Sequence, residues 1–328
     1  MVTMKAITAP PFGGPETMSL VEMPRPVPAA DQLLVRVTAI GVNRVDAMQR
    51  SGSYPPPPGA GDILGVEMAG EVAGAGAEAG DFKTGDRVFG LVPAGAYAEY
   101  AVIHHRHAVR TPDDWDDVRA ASVIETFCTA HETLFELGGL SAGDRVLIHA
   151  AGSAVGTSAI QMAVKCGATV IGTAGADYKI EAAKKLGAAH VIDYKSVDFA
   201  DEVLRLYPDG IDQIEDFIGS IYFQRHLRIL RNKGRIVQVG ILGAGVAPID
   251  TGPILGKRLK VCGFTLRPQN NDEKAVITAH FVEHWLPLLL RGDVTQVMHA
   301  VLPFDQAHEA HRILEDTENF GKVVMTVS

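Results

Sequence analysis

Residues 147–175 read LIHAAGSAVGTSAIQMAVKCGATVIGTAG, an apolar strand that passes through small residues into a helix and on to a second apolar strand. No other stretch of the chain restricts the fold as much. Residues without bulk let the backbone approach a bound group, and the first N–H groups and dipole of the following helix then face an anion. The turn AAGSAVG (150–156) supplies Gly152, Ser153, Ala154 and Gly156, which is not a strict G-x-G-x-x-G. Taken alone it fits an ordinary strand–helix turn as well as a pyrophosphate cradle. Its surroundings favour the cradle. From about Ser141 the chain alternates DRVLIHAA, a helix near 155–166, TVIGTAG, a helix near 178–186, HVIDY and an acidic helix near 198–206. It continues with IDQIEDFIG, a helix near 222–231, GRIVQVGIL and RLKVCGFTL (258–266). This rhythm predicts a doubly wound α/β fold, a parallel sheet with helices on both faces.

The first 120 or so residues follow another rule. DQLLVRVTAIGVN (31–43), GDRVFGLV (85–92) and AYAEYAVI (96–103) read as strands between Gly and Pro turns, and SGSYPPPPGAGD (51–62) reads as loop. Beyond RLKVCGFTL come long helices near 272–290 and 304–316, then the closing GKVVMTV. The expected plan is a β-rich domain built from both chain ends (1–124 and 268–328) with a nucleotide-binding domain (125–267) inserted. Hydrophobic residues make up 47% of 328, enough for two buried cores. No apolar run reaches the length of a membrane span, and the first residues lack a basic-then-apolar leader. Cys128, Cys166 and Cys262 are too few and too scattered for a disulfide framework or a zinc knuckle. A cytoplasmic protein is expected, and a net charge of −9 argues against a nucleic-acid partner.

A site that prefers NAD usually ends its second strand with Asp or Glu, which binds the ribose hydroxyls. Here that strand ends Gly172-Thr173-Ala174-Gly175, with Lys179 one helical turn on and Tyr194 closing the third strand. A cation and a phenol beside a neutral strand end suit a 2′-phosphate, so NADPH is the expected cofactor. Asp177 is the counter-indication, and a merely solvated Lys179 is the plain alternative.

Six segments in order carry a family resemblance: FGGPE, GVNRVDAMQRSGSYPPPPGAGDILGVEMAGEV, GDRVFGL, AYAEY, AGDRVLIHAAGSAVGTSAIQMA and NFGKVVMTV. Over nearly its whole length the chain resembles the zinc-free quinone oxidoreductase (zeta-crystallin-like) branch of the medium-chain dehydrogenase/reductase superfamily. The resemblance is closest to the subgroup related to the p53-inducible quinone oxidoreductase. It implies a GroES-like β-rich catalytic domain, a Rossmann domain and bound NADPH. It would place Ser153, Ala154, Val155 and Gly156 at the pyrophosphate, and Gly175, Lys179 and Tyr194 at the 2′-phosphate, with Thr173 in the same cofactor-binding set. Gly240, Ile241, Leu242, Phe264 and Leu266 would flank the nicotinamide, with Lys322 approaching from the C-terminal segment. Asn43, Arg44, Asp46, Tyr54 and Thr129 would line the reacting end. Two departures stand out: Ala154 replaces a glycine common in this turn, and Ala176-Asp177-Tyr178 changes the usual polar run before Lys179.

At the positions resembling the zinc ligands of zinc alcohol dehydrogenases, the chain has Asn43, Val66 and Glu125, which are too few donors for a tetrahedral ion. HFVEH (280–284) matches H-x-x-E-H, but in a C-terminal helix of a reductase-like chain, and HHRH (104–107) reads as the end of a surface strand. No metal is expected.

Without a Lewis acid, a quinone or an activated alkene is an easier acceptor than an alcohol is a donor, because hydride addition leaves a delocalised oxyanion that hydrogen bonds can hold. Tyr54 suits a hydrogen bond or proton to the acceptor oxygen, and Asn43 suits positioning of the cofactor or a carbonyl. Plainer readings stay open: an Arg44–Asp46 ion pair, Asp46 as a helix cap, Tyr54 packed on a neighbouring surface, Cys128 as a buried thiol, Glu67 and Glu125 as structural. The function expected is NADPH-dependent reduction of small quinones, by hydride or by single electrons. The rival with the same cofactor reduces an enone, an alkenal or a 2-enoyl thioester. A rival of another class is an NADPH-binding redox sensor or nucleic-acid-binding protein with little turnover. RLKVCGFTL at a sheet edge would join two copies into a homodimer.

Overall fold

The computed structural model describes residues 2–9, 11–243 and 245–328. Two units emerge, Met1–Cys128 with Leu266–Arg291 and Gln296–Ser328, and Thr129–Thr265 with Gly292–Thr295.

The first unit begins with strands β1 (Thr3–Thr8), β2 (Ser19–Pro24) and β3 (Gln32–Val42), followed by helix α1 (Arg44–Arg50). Strands β4 (Glu67–Ala75), β5 (Arg87–Leu91), β6 (Tyr100–His104) and β7 (Ala108–Arg110) come next, then α2 (Asp117–Ala120) and α3 (Ile124–His131). The strand expected over 31–43 is present as β3: it is buried along most of its length, with Leu33, Leu34, Val35 and Val37 in the interior and Arg36 facing solvent. The strand expected over 96–103 begins only at Tyr100. Ala96–Ala98 instead form a bend, with Tyr97 N–H bonded to Leu64 O at 2.8 Å and Tyr97 O accepting Ile7 N–H at 2.8 Å. The unit division falls at Cys128, inside α3, because a helix that the sequence reading did not foresee runs past residue 124.

The second unit holds the parallel sheet. Its elements are β8 (Arg145–Ile148), α4 (Ala154–Cys166), β9 (Thr169–Ala174), α5 (Asp177–Lys185), β10 (His190–Asp193) and α6 (Phe199–Leu206). They continue with β11 (Ile211–Asp216), α7 (Ser220–Ile229), β12 (Leu230–Gln238), α8 (Gly252–Lys257) and β13 (Lys260–Gly263). The strand order is β10-β9-β8-β11-β12-β13 and every pairing is parallel. This is the doubly wound order that leaves a crevice at the strand ends. Leu147, Ile171, Ile192, Ile214 and Ile236 form the strand side of the core against Phe199, Val203, Phe223 and Leu227.

The chain then returns to the first unit through α9 (Asn271–His280), a π-helical turn (Phe281–Trp285), α10 (Leu286–Arg291), β14 (Met298–Pro303), α11 (Ala307–Glu315) and β15 (Lys322–Thr326). The single helix expected near 272–290 is thus three helical segments. The main sheet of this unit runs β14-β15-β3-β4-β5-β7, with β6 also paired to β3, and β1 and β2 make a separate antiparallel pair.

Strand β11, IDQIED, is buried throughout although four of its six residues are polar. A central strand normally carries apolar side chains on both faces, so each polar group needs a partner. Gln213 donates to the carbonyls of Thr133 and Leu134 at 3.3 and 3.1 Å, in the π-helical turn Glu132–Glu136 whose wider winding exposes them. Glu215 Oε1 accepts from Thr133 Oγ1 at 2.6 Å, and burial pushes its carboxyl up to about 8 against that bond. A folded-state value above the unfolded one means stability that is full below about pH 4.5 and is lost as pH rises to about 8. Glu215→Gln removes this dependence. Thermal melts should show the variant gaining on the wild type from pH 5 to 8, by at most about 5 kcal/mol, and levelling off above. A constant difference across that range would show that Glu215 is ionised in the fold.

Candidate functional site

At the turn after β8, Ala150 takes φ 50°, and its carbonyl accepts the Ser153 N–H at 2.8 Å. Ser153 then caps α4: its Oγ accepts the Gly156 N–H at 3.0 Å and its carbonyl the Thr157 N–H at 2.9 Å. Ala154 and Val155, half-buried, carry the leading N–H groups of a thirteen-residue helix, the geometry that receives an anion. The Ala151 N–H donates to Thr173 O at 3.0 Å, which ties the turn to the end of β9.

Thr173 turns its side chain inward. Its side chain is buried and its Oγ1 lies 2.9 Å from His149 Nδ1, because the adjacent strand ends place both under the turn. His149 Nε2 lies 2.8 Å from His226 Nε2, and His226 Nδ1 is 3.7 Å from Asp216 Oδ2. Burial holds His149 down at about 3 and His226 well below its ordinary value, so both rings are neutral at pH 7. Asp216 in turn accepts the N–H groups of Ile218 and Gly219 at 2.8 and 3.1 Å, and its carbonyl accepts the Val239 and Gly240 N–H groups at 2.7 and 3.3 Å. The Leu242 N–H bonds Phe217 O at 2.9 Å. Ile241 and Leu242 are left 62% and 48% exposed, apolar surface suited to a flat ring, whereas Phe264 is buried.

Beyond β9, a β-carbon placed on Gly175 would lie 2.7 Å from the Tyr194 hydroxyl and 2.9 Å from Lys195 Cε, so these two side chains lie directly over the glycine. Lys179, in the first turn of α5, is half-buried; desolvation first, and the charge of Lys195 second, hold its ammonium below the ordinary value. Lys195 does not stand out in the sequence, where it simply follows HVIDY. The turn after β10 explains its arrival: Asp193 accepts the Lys195 N–H at 3.0 Å and bonds the Ser196 hydroxyl, curling the chain so that Tyr194 and Lys195 reach over Gly175 together. Tyr194 and Lys195 thus cover the end of β9, and the Lys179 ammonium lies close enough to feel the Lys195 charge. Asp177, the counter-indication, is exposed at the first position of α5.

In the first unit Asn43 precedes α1 in extended conformation, and Asp46 Oδ2 accepts its N–H at 2.8 Å. Burial pushes the Asp46 carboxyl up to about 7, opposed by that bond, the Lys322 charge and the Tyr97 hydroxyl at 3.1 Å. The helix-cap reading of Asp46 therefore holds, and the Arg44–Asp46 ion pair does not form. Arg44 is exposed and donates to Leu314 O at 2.9 Å, at the C-terminal end of α11. Lys322, expected at the nicotinamide, is fully buried, with Nζ 2.5 Å from Glu67 Oε2 and 2.6 Å from Asn43 Oδ1. Glu67 and Lys322 belong to β4 and β15, the strands on either side of β3. They meet across β3 because Gly41 has no side chain; a β-carbon there would overlap Glu67 Oε2 and Ala121 O. Of the positions resembling zinc ligands, Val66 offers no donor atom and Asn43 Oδ1 already accepts from the ammonium.

Tyr54 is partly exposed, and the Arg267 guanidinium lies 5.7 Å over its ring. Arg267 also donates to Pro93 O at 2.9 Å and to Gln49 Oε1, clamping the proline-rich loop. This buried arginine was not singled out in the sequence, since nothing in FTLR distinguishes it from a solvated one. Thr129 opens the second unit; it is buried, and its carbonyl accepts Thr133 Oγ1 at 2.8 Å. Leu266, half-buried, falls in the first unit.

Residues 29–113 match the alcohol dehydrogenase GroES-like domain, and residues 154–280 match the zinc-binding dehydrogenase domain. The human quinone oxidoreductase is 30% identical over 331 residues, covering 98% of this chain and 97% of that protein. The human synaptic vesicle membrane protein VAT-1 homolog is 30% identical over 333 residues, covering 96% and 84%. Among the described residues of the present chain, no helix is long and apolar enough to cross a membrane. The crystal structure of Escherichia coli quinone oxidoreductase complexed with NADPH superposes with a TM-score of 0.87 at 28% identity, covering 99% and 100%. With a GroES-like domain, a Rossmann-type parallel sheet and these relatives along its whole length, the chain belongs to the medium-chain dehydrogenase/reductase superfamily and falls with its quinone oxidoreductase branch.

Proposed function

We propose that this protein is a cytoplasmic, zinc-free NADPH-dependent reductase of small quinones. The observation that carries the cofactor is the placement of Tyr194 and Lys195 over Gly175, with Lys179 near enough to feel the Lys195 charge, at a strand end that no acid closes. Two cations and a hydroxyl match a phosphate dianion rather than a ribose diol. The head of α4, with Ser153, Ala154, Val155 and Gly156, would hold the pyrophosphate, and Gly240 with the exposed Ile241 and Leu242 would support the nicotinamide. NADPH supplies a hydride when bound. At the reacting end Asn43 presents a fixed amide, and Tyr54 presents a hydroxyl with no hydrogen bond to the described residues, on a loop that Arg267 restrains. A hydroxyl so placed suits a hydrogen bond to the oxygen on which negative charge gathers as a quinone is reduced. Since Asn43 Oδ1 and Glu67 serve an ammonium, a chemistry that needs no Lewis acid fits the donors present.

Initial rates of NADPH oxidation with 1,2-naphthoquinone, a matched enone and a crotonyl thioester, each repeated with NADH, test this reading. Quinone turnover should exceed the others by roughly tenfold or more, with NADPH preferred. An enone or thioester in first place would move the assignment to double-bond reduction, with Tyr54 as the proton donor. Negligible rates with all three would favour a sensor. Lys179→Ala and Lys195→Ala should each weaken NADPH binding by about 1–3 kcal/mol and leave NADH unaffected; equal losses for both would refute the phosphate site.

Strand β13 terminates the six-stranded sheet, and Val246, Leu255 and Val261 are 94%, 84% and 42% exposed in the same stretch of chain. We propose that a second copy pairs there about a two-fold axis. Sedimentation should give a dimer, and a monomer at all concentrations would overturn it.

A further inference from the structure

The interior of the first unit contains an ion pair with no access to solvent, Lys322 with Glu67. Lys322 Nζ bonds Glu67 Oε2 and Asn43 Oδ1, and the second Glu67 oxygen accepts the Glu125 N–H at 3.0 Å. The Asn43 Nδ2 donates to Gly41 O at 3.1 Å and to Glu67 Oε2 at 3.2 Å. Each polar atom of the Asn43 side chain thus has a partner of the right kind: a cation for its oxygen, an anion and a carbonyl for its nitrogen. A flipped amide would turn NH2 toward the ammonium and oxygen toward the carboxylate, unfavourable at every contact. Apolar side chains of the same volume fill such a space at least as stably as a buried ion pair, so what the pair contributes is direction.

We propose that Lys322 is a positioning residue of the reduction site: paired with Glu67, it holds the Asn43 amide in the single orientation that the site uses. The proposal rests on the reading that Asn43 lines the reacting end. Its leverage comes from the sheet, since β4 and β15 deliver the two charges from opposite sides of β3, and Asn43 is the residue that follows β3. Rotation of the amide would break three hydrogen bonds at once, two of them to charged groups.

Lys322→Met/Glu67→Gln removes both charges together and strands neither. In the wild type the Asn43 Nδ2 protons should give one slowly exchanging pair in a nitrogen–proton correlation spectrum, assigned by its disappearance in Asn43→Asp. In the double variant that pair should lose its protection. The kcat of NADPH oxidation, with whichever acceptor the wild type reduces, should fall roughly tenfold or more, while KM and the fluorescence-titrated Kd for NADPH stay within about twofold. A protected pair together with kcat within about twofold of the wild type would overturn the proposal. Should the double variant not fold, Lys322→Gln/Glu67→Gln, which likewise strands no charge and keeps a hydrogen-bonding group at both positions, takes its place. It should show both effects at smaller size, and wild-type behaviour there counts equally against the proposal. A wild type that reduces no acceptor would strike at the functional reading instead, and the exchange of the Asn43 amide would still decide its orientation.

Discussion

Two opposite charges shut away from water must neutralise each other, and in the first unit that requirement falls on Glu67 and Lys322. The pair bridges β4 and β15 over the strand between them, and the bridge exists only because β3 has a glycine at the crossing point. Asn43 is locked to the pair, and Asp46 is locked to the Asn43 N–H. From there α1 is joined to α11 by Arg50 with Glu315 and by the hydrogen bond of Arg44 to Leu314. Taking one charge away from such a pair typically costs about 3–5 kcal/mol, because the survivor stays buried. The surroundings of Asn43, the proposed reacting end, are thus tied to the sheet through this pair.

The nucleotide half was legible because its instructions are local. A strand, a turn of small residues and a capping serine are consecutive in the chain, and the alternation of strands with helices leaves few topologies for a parallel sheet. The phosphate end was half legible: Lys179 and Tyr194 stand out by type, whereas Lys195 gains its place only through the turn that Asp193 builds. Which way Thr173 turns was not legible, because neighbouring residues in a strand point to opposite faces, and the face that carries its hydroxyl is the one occupied by His149.

The reacting end was harder to read, for a physical reason. Lys322 lies 279 residues from Asn43 and 255 from Glu67, so no window of sequence contains the contact that decides its role. The resemblance placed Lys322 beside the nicotinamide, and only the fold shows that its ammonium is buried against a carboxylate. The partner of Arg44 is equally distant in the chain, a carbonyl at the end of a helix near the other terminus. Strand β11 makes the converse point. Its acidic residues suggest an exposed strand, yet each is buried against a partner supplied by another element.

The groups gathered around Gly175 belong to the turn that follows β10, the outermost strand of the parallel sheet, and to the opening turn of α5. Neither contributes to the tightly packed centre made by Leu147, Ile171, Ile214 and Ile236. On the proposed reading of these groups as the phosphate site, discrimination between the two nicotinamide cofactors is modular. Natural drift or deliberate redesign can rewrite the side chains at this rim without disturbing the core, so cofactor preference can change among close relatives faster than the architecture that uses it.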